Sequence, residues 1–125
     1  MTARRAAGLV AGLALGLLLA SGTPARAQID TGSIVGTVRD TSGGVLPGVT
    51  VTATDQATNV AATGVTNDRG QYVFPGLKVG TYTVAVELTG FRRALRRDIS
   101  LKVQDRLDVS FELGVGEMSE EVVVS

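Results

Sequence analysis

Residues 32–91 contain, in order, GSIVGTVRD (32–40), GGVLPGVTVTA (43–53), TNDRGQYVFPGL (66–77), GTYTVAV (80–86) and GF (90–91). Apolar and polar residues alternate with period two inside these stretches, and Gly, Pro, Asn and Asp interrupt the alternation at a spacing of about 10 residues. Period-two alternation with regular turn signals is typical of a small antiparallel β sandwich.

The turn residues support this interpretation because each has a defined role. Asn67, Asp68 and Gly70 tolerate left-handed backbone, and they stand together between two apolar stretches. Pro47-Gly48 ends one segment immediately before the next begins.

Alternation predicts seven strands, and six of them have a clear apolar face. A polar segment at 60–66 alternates weakly and is predicted to lie at a sheet edge. Two sheets packed about 10 Å apart would bury the apolar faces. The predicted fold class is therefore all-β, a seven-stranded antiparallel sandwich. The predicted inward-facing residues are Ile34, Gly36, Val38; Val49, Val51, Ala53; Tyr72, Phe74; Tyr82, Val84, Val86, Leu88; Ile99, Leu101, Val103; and Leu107, Val109, Phe111, Leu113.

Residues 1–27 are predicted to be a helical secretory signal peptide rather than part of the sandwich. Arg4 and Arg5 precede an apolar run at 6–20, and Ala25-Arg26-Ala27 provides an A-x-A cleavage site. Because a membrane span needs about 20 apolar residues, a retained anchor is the weaker alternative. Cleavage after Ala27 would leave nine basic against twelve acidic residues, a net charge of −3.

The residue types exclude several classes of chemistry. The chain has no His, Cys or Trp, which removes histidine acid–base catalysis, thiol nucleophiles and the usual zinc ligands. Ser and Thr are plentiful but lack a base to activate them. We therefore predict no enzyme activity, no catalytic residue, no cofactor and no metal site. An exported domain without cysteine fits a bacterial periplasm better than a disulfide-rich secreted scaffold.

An ordered set of motifs resembles a known family, the carboxypeptidase regulatory-like domain. The matching elements are Ile34-x-Gly36-x-Val38-x-Asp40, Leu46-Pro47-Gly48-Val49-x-Val51, Thr66-x-Asp68-x-Gly70-x-Tyr72-x-Phe74, Gly76-Leu77, Gly80-x-Tyr82-x-Val84 and Gly90-Phe91. The resemblance implies a transthyretin-like (prealbumin-like) sandwich, grouped with carbohydrate-binding-like folds. It also implies a non-catalytic accessory module of the kind found beside peptidase domains, in surface proteins, and at the N-terminus of TonB-dependent outer-membrane receptors.

The tail at 114–125 is similar to the connector between this module and the plug domain of Oar-like TonB-dependent receptors. We therefore expect a signal peptide at 1–27, a regulatory-like domain at 28–113 and a C-terminal connector at 114–125. Glu121 to Ser125 reads as an apolar strand start whose open edge invites pairing; a frayed terminal strand is the alternative.

Four arginines are the candidate contact residues for a partner or glycan: Arg92, Arg93, Arg96 and Arg97. They could meet lipopolysaccharide phosphates or an acidic partner through charge-assisted bonds. The alternative is an edge strand whose charges discourage aggregation. Asp68 is better explained as a turn cap than as a calcium ligand, because a strand follows Gly70 directly.

Three functions remain open at this point. The first is an interaction module of the periplasm and outer membrane, the N-terminal extension of a TonB-dependent receptor. Its partner would be a downstream plug and barrel or another envelope protein. The second is a carbohydrate-binding envelope protein that uses polysaccharide as its ligand. Tyr72, Phe74 and Tyr82 do not support a sugar platform, because they share the aliphatic core face. The third is an accessory domain of a peptidase. Nucleic acid is not an expected partner of an acidic, exported chain.

Overall fold

The computed structural model describes residues 30–124, which fold as nine strands in two layers without a helix. The predicted signal peptide at 1–27 lies outside the described residues. The strands are β1 (Thr31–Asp40), β2 (Thr50–Asp55), β3 (Ala61–Val65), β4 (Gln71–Lys78), β5 (Gly80–Glu87), β6 (Arg93–Leu101), β7 (Arg106–Asp108), β8 (Phe111–Leu113) and β9 (Glu121–Val124).

The all-β sandwich is confirmed, and its two sheets differ in connectivity. One sheet has the order β4-β1-β7, with β8 also pairing with β1, and the other has the order β3-β2-β5-β6-β9. The prediction of purely antiparallel pairing is wrong, because β1 pairs in parallel with β7 and β8, and β6 pairs in parallel with β9. After β6 the chain crosses to the opposite sheet, so β7 is not forced into the antiparallel direction that a tight hairpin imposes.

The predicted apolar faces form a single core between the sheets. Ile34, Val38, Val51 and Val84 have no exposed surface, and Tyr72, Phe74 and Tyr82 are all buried, as the alternation predicted. Val103 was wrongly placed in the core and is half-exposed, because β6 ends at Leu101 and the following residues form a turn.

The predicted last strand divides into β7 and β8 between Asp108 and Phe111. At the break, the backbone N–H of Val109 donates to the carbonyl of Val35 at 2.7 Å, and the N–H of Thr37 donates to the Ser110 hydroxyl at 3.1 Å. The serine side chain replaces one rung of the backbone ladder, so both halves still pair with β1.

A bulge in β6 changes which residues face the core. Tyr82 pairs with Ile99 and Val84 pairs with Arg96, so Arg97 and Asp98 together oppose a single residue of β5. Asp98 takes a left-handed φ of 59° at this point. Since an extra residue reverses the alternation, Arg96 shares the inner face with Ile99 and Leu101, which simple period-two counting did not predict.

The turn before β4 is capped by Asn67 rather than by Asp68. The Asn67 Oδ1 accepts the N–H groups of Arg69 and Gln71 at 2.9 and 3.0 Å. Gly70 completes the turn with a φ of 70°, in the left-handed region that glycine tolerates. The prediction of a capped turn at this site was therefore right in kind, with the neighbouring side chain as the cap.

The side chain of Thr66 is buried, and it bonds two residues of the connection between β1 and β2. Its hydroxyl accepts the N–H of Val49 at 2.9 Å and donates to the carbonyl of Leu46 at 2.7 Å. We expect Thr66→Val to lower the free energy of unfolding by about 1–3 kcal/mol, because both backbone groups lose a partner. Urea denaturation measures the change. Thr66→Ser keeps the hydroxyl, and an equal loss in that variant would contradict this role.

Candidate functional site

The four predicted contact arginines do not form one positive surface. Arg92 Nε lies 3.0 Å from Glu120 Oε2. Arg93 lies between two carboxylates, with Nε 2.9 Å from Glu87 and Nη1 3.4 Å from Glu121. Carboxylates of the same chain therefore neutralise Arg92 and Arg93. Through Glu120 and Glu121, the two arginines also hold the connector in place.

Arg96 and Arg97 point in different directions. The Arg96 guanidinium carbon lies 5.8 Å from the centre of the Phe111 ring, so this contact joins β6 of one sheet to β8 of the other. Its Nε is buried and has no hydrogen-bond partner within residues 30–124. Arg97 is exposed on the outer face beside the bulge. A partner contact by Arg92, Arg93, Arg96 and Arg97 remains a prediction, and Arg97 is the member of the group that is exposed and makes no ion pair within residues 30–124.

The connector residues fold back onto the sandwich instead of extending from it. The N–H of Arg92 donates to the carbonyl of Gly114 at 2.8 Å, and the N–H of Arg93 donates to the carbonyl of Glu120 at 2.9 Å. The rest of the connector then forms β9 beside β6, with Ala94 opposite Val122.

Strand β9 is an edge strand with little charge on its free side. Its one glutamate, Glu121, and the preceding Glu120 pair with arginines, and Val122 and Val123 are 44% and 54% exposed. Because the Glu120 carbonyl bonds to β6, alternation along the ladder directs the backbone groups of Val123 outward. No strand among residues 30–124 pairs with that side. Natural sheets usually protect such edges with charge or proline.

Strand β3 is the other edge of the same sheet, as the weak alternation at 60–66 predicted. Two hydrogen bonds fix its register on β2: the N–H of Asp55 donates to Val60 at 2.9 Å, and the N–H of Thr66 donates to Val49 at 3.0 Å. In an antiparallel pair the bonded positions recur at every second residue. The odd-numbered residues of β3 therefore direct their backbone groups away from β2.

An apolar cleft of about 280 Å³ opens beside β3, where β3 faces β4 of the opposite sheet. Small residues on both sheets leave this space unfilled, and Asp55 and Lys78 lie at its rim. Sequence reasoning missed this feature, because alanine and glycine at inward positions give no chemical signal. The main apolar lining consists of Ala53, Val60, Ala62, Gly76, Leu77 and Tyr82.

The two tyrosines have structural roles inside the sandwich. The Tyr72 hydroxyl donates to the carbonyl of Val109, and the Tyr82 hydroxyl donates to the carbonyl of Lys78. Burial raises the pKa of Tyr72, and the Asp108 carboxylate raises it further. Burial also raises the pKa of Tyr82, with a smaller contribution from Asp55. Phenols held in the protonated form are poor nucleophiles.

These raised pKa values predict that the fold weakens in alkali. An unfolded tyrosine ionises near pH 10, whereas Tyr72 in the fold retains its proton to a higher pH. The stabilisation is therefore complete below about pH 10 and is lost above it, by at most about 1.4 kcal/mol per pH unit for one group. Urea denaturation from about pH 9 to pH 11.5 measures the slope.

Tyr72→Phe should flatten that alkaline slope, while Tyr82→Phe should flatten it less because the pKa of Tyr82 is raised by less. Lysine ionisation is common to all three proteins, so the comparison isolates the phenols. Identical slopes in the wild type and Tyr72→Phe would contradict this assignment.

Within residues 30–124, no three side chains of the types His, Cys, Asp or Glu lie close enough together to hold a metal ion. In the same part of the chain, no helix has the length and apolar character required to cross a bilayer.

The ordered glycine and aromatic motifs, on this two-sheet framework, match a model of the carboxypeptidase regulatory-like domain over residues 33–114. The chain belongs to this family. Carboxypeptidase regulatory-like domains are non-catalytic modules, and the resemblance drawn from the motifs is confirmed. The chain has no significant match among curated proteins.

Solved structures with a similar fold come from several settings. The TIE protein of Bacillus anthracis gives a TM-score of 0.59 at 19% identity, over 69% of this chain and 17% of that chain. A candidate carbohydrate-binding protein from Bacteroides uniformis gives 0.55 at 20% identity, over 66% and 41%. A variant of catechol 1,2-dioxygenase from Acinetobacter radioresistens gives 0.53 at 16% identity, over 74% and 54%.

These likenesses show the fold alone, because every identity is 20% or lower. The chain matches between about a sixth and just over half of the length of these proteins. The carboxypeptidase regulatory-like sandwich is therefore shared with larger binding proteins and with an enzyme, and the activity of this chain has to be argued from its own surfaces.

Proposed function

We propose that this carboxypeptidase regulatory-like domain is a non-catalytic interaction module of the cell envelope, forming the N-terminal extension of a TonB-dependent outer-membrane receptor. The observation that carries the proposal is the ordered connector. It adds β9 to the sandwich and presents an uncharged open edge where the resemblance to Oar-like receptors expects the plug to follow.

The ion pairs at the start of β9 support a junction with a following domain at this place. Two ion pairs and the backbone bonds of Arg92 and Arg93 fix the start of β9. Because the glutamates are paired, the exposed edge beyond them carries valines alone. A strand edge of this kind can be extended by a strand of a neighbouring domain, whose main-chain groups supply the affinity.

Export to the envelope is supported by the sequence of residues 1–27, with their basic start, apolar run and A-x-A site. Carbohydrate binding has less support. The aromatic side chains that could stack on a sugar, Tyr72, Phe74 and Tyr82, are each at most 6% exposed. Sugar platforms need exposed rings.

Site-specific crosslinking in bacterial envelopes tests the proposal. A photo-crosslinking amino acid replaces Val123 on the β9 edge in the full chain, expressed with its leader and with any reading frame that continues from it. We expect outer-membrane fractionation and a crosslink from position 123 to a receptor plug or barrel. The same probe at Val73, which is 57% exposed on the other sheet, is the matched control.

Three results would contradict the proposal. The first is a stop codon directly after Ser125 with no receptor frame nearby. The second is recovery of the protein in the cytoplasm with residues 1–27 still attached. The third is equal crosslinking from positions 73 and 123, since that would show no preference for the β9 edge.

A further inference from the structure

Two independent features meet at the side of the sandwich opposite β9. The first is the free edge of β3, where the outward backbone groups belong to Ala61, Thr63 and Val65. The side chains of β3 carry no charge, so nothing protects this edge electrostatically. The second is the apolar cleft, which opens next to Ala62 on the inward side of the same strand.

We infer that this side of the domain binds an extended polypeptide, which adds a strand to β3 and inserts one apolar side chain into the cleft. Side chains directly opposite each other on paired strands point to the same face of a sheet. A residue opposite Ala62 would therefore point inward, towards Gly76 and Leu77 on the facing sheet, where the cleft lies. Gly64 shows that the face of β3 that carries Ala62 and Gly64 points inward, because a Cβ at Gly64 would lie 3.3 Å from the Phe74 ring.

The dimensions of the cleft suit this occupant. Pockets for small molecules and cofactors usually measure about 300–1,000 Å³, and the cleft of about 280 Å³ lies just below that range. It is large enough for one Leu, Met or Phe side chain. Most of its lining is alanine, valine, leucine and glycine, and of its polar residues the Tyr82 hydroxyl and the Asp55 Oδ1 already make hydrogen bonds within the domain.

The charges at the rim refine the chemistry of the partner. Lys78 is exposed and makes no ion pair within residues 30–124. Asp55 keeps its negative charge, but its Oδ1 already accepts the N–H of Ala57 at 2.9 Å. Lys78 is therefore the rim charge that has no ion-pair partner within the described residues, and the partner segment carries an acidic residue near its apolar one.

Selection from a displayed library of random seven-residue peptides, against the full chain, tests the inference. We expect enriched peptides with one large apolar residue flanked by β-branched residues and an acid. Thr63→Pro removes one outward N–H and leaves the bonds to β2 intact, since proline is tolerated at such edge positions. It should weaken binding about tenfold, the equivalent of about 1.4 kcal/mol. Thr63→Ala keeps the N–H and is the matched control.

A second pair of variants tests the cleft separately from the edge. Ala62→Phe fills the cleft from within and should also weaken binding about tenfold or more. Val65→Phe places the same ring on the outer face of β3, which is already 62% exposed, and should leave binding unchanged. Lys78→Glu should disfavour peptides that carry the acid. Melting curves of all variants confirm that the sandwich is intact.

Five outcomes would overturn the inference, and the first four concern peptide and glycan binding. They are no selected peptide that binds more tightly than about 1 mM, binding that Thr63→Pro leaves unchanged, equal losses in Ala62→Phe and Val65→Phe, and a glycan that competes for the cleft. A concentration-dependent dimer abolished by Thr63→Pro would also overturn it, since the edge would then belong to a second copy of the chain.

Discussion

Gly36→Ala should remove a large part of the stability of this domain, about 3–5 kcal/mol of a total on the order of 5–15 kcal/mol. Gly36 lies in the middle of β1, directly opposite Tyr72 of β4. A Cβ at this position would lie 2.7 Å from both Cε1 and Oη of Tyr72, and it would collide with the carbonyl of Val109. That carbonyl accepts the Tyr72 hydroxyl, so the added methyl displaces both partners of a buried hydrogen bond.

Chemical denaturation followed by circular dichroism measures this loss. The matched control is Gly114→Ala, because nothing lies within 4 Å of a Cβ there and its backbone is not left-handed. We expect the control to change stability by less than about 0.5 kcal/mol. If Gly36→Ala does not accumulate as soluble protein while Gly114→Ala does, the expectation is met; melting of Gly36→Ala within a few degrees of the wild type would contradict it.

The sequence was sufficient for the parts of the fold that depend on local alternation. In β1 and β2 the inward residues obey period two without interruption, and the buried positions agree with the pattern. Turn positions were equally readable, because Gly48 and Gly70 take positive φ angles that few other residues adopt. A local pattern is enough where local geometry decides the outcome.

Features that depend on contacts between distant segments were not readable in the same way. The bulge at Arg97 and Asp98 turns Arg96 inward, although alternation counted from Arg92 would place the arginines evenly on two faces. The ion pairs of Arg92 and Arg93 join residues about 28 positions apart in the chain, at the connector. A basic run in the sequence could not show that its counter-charges arrive on β9.

The sequence predicted the two open edges of the five-stranded sheet, but it did not predict the cleft beside one of them. Weak alternation predicted β3 as an edge, and the valine-rich end predicted the pairing tendency of β9. The cleft beside β3 gave no signal in the sequence, because it forms only where small residues of two different sheets face each other. Ala53 and Ala62 are ordinary strand residues until Gly76 is placed opposite them.

Phe111→Ala should also lower the free energy of unfolding strongly, by about 3–5 kcal/mol, because it deletes a buried ring from the core between the two sheets. Phe111 begins β8, pairs with Val38 of β1 and is 5% exposed. The surrounding strands are held by backbone ladders on β1, so they cannot collapse far enough to fill the space. The cost of such a cavity adds to the lost burial of the ring itself.

The Arg96 guanidinium over this ring makes the source of the loss testable. At 5.8 Å from the ring centre, and partly exposed, a cation–π contact is worth about 0.5–1 kcal/mol, well below the packing loss. Arg96→Met keeps an apolar stem over Phe111 and should therefore cost about 1 kcal/mol or less. Phe111→Leu should fall between the two. Urea denaturation of the three variants decides the question. If Arg96→Met were as damaging as Phe111→Ala, the contact between β6 and β8 would be held by charge, and the packing account of β8 would fail.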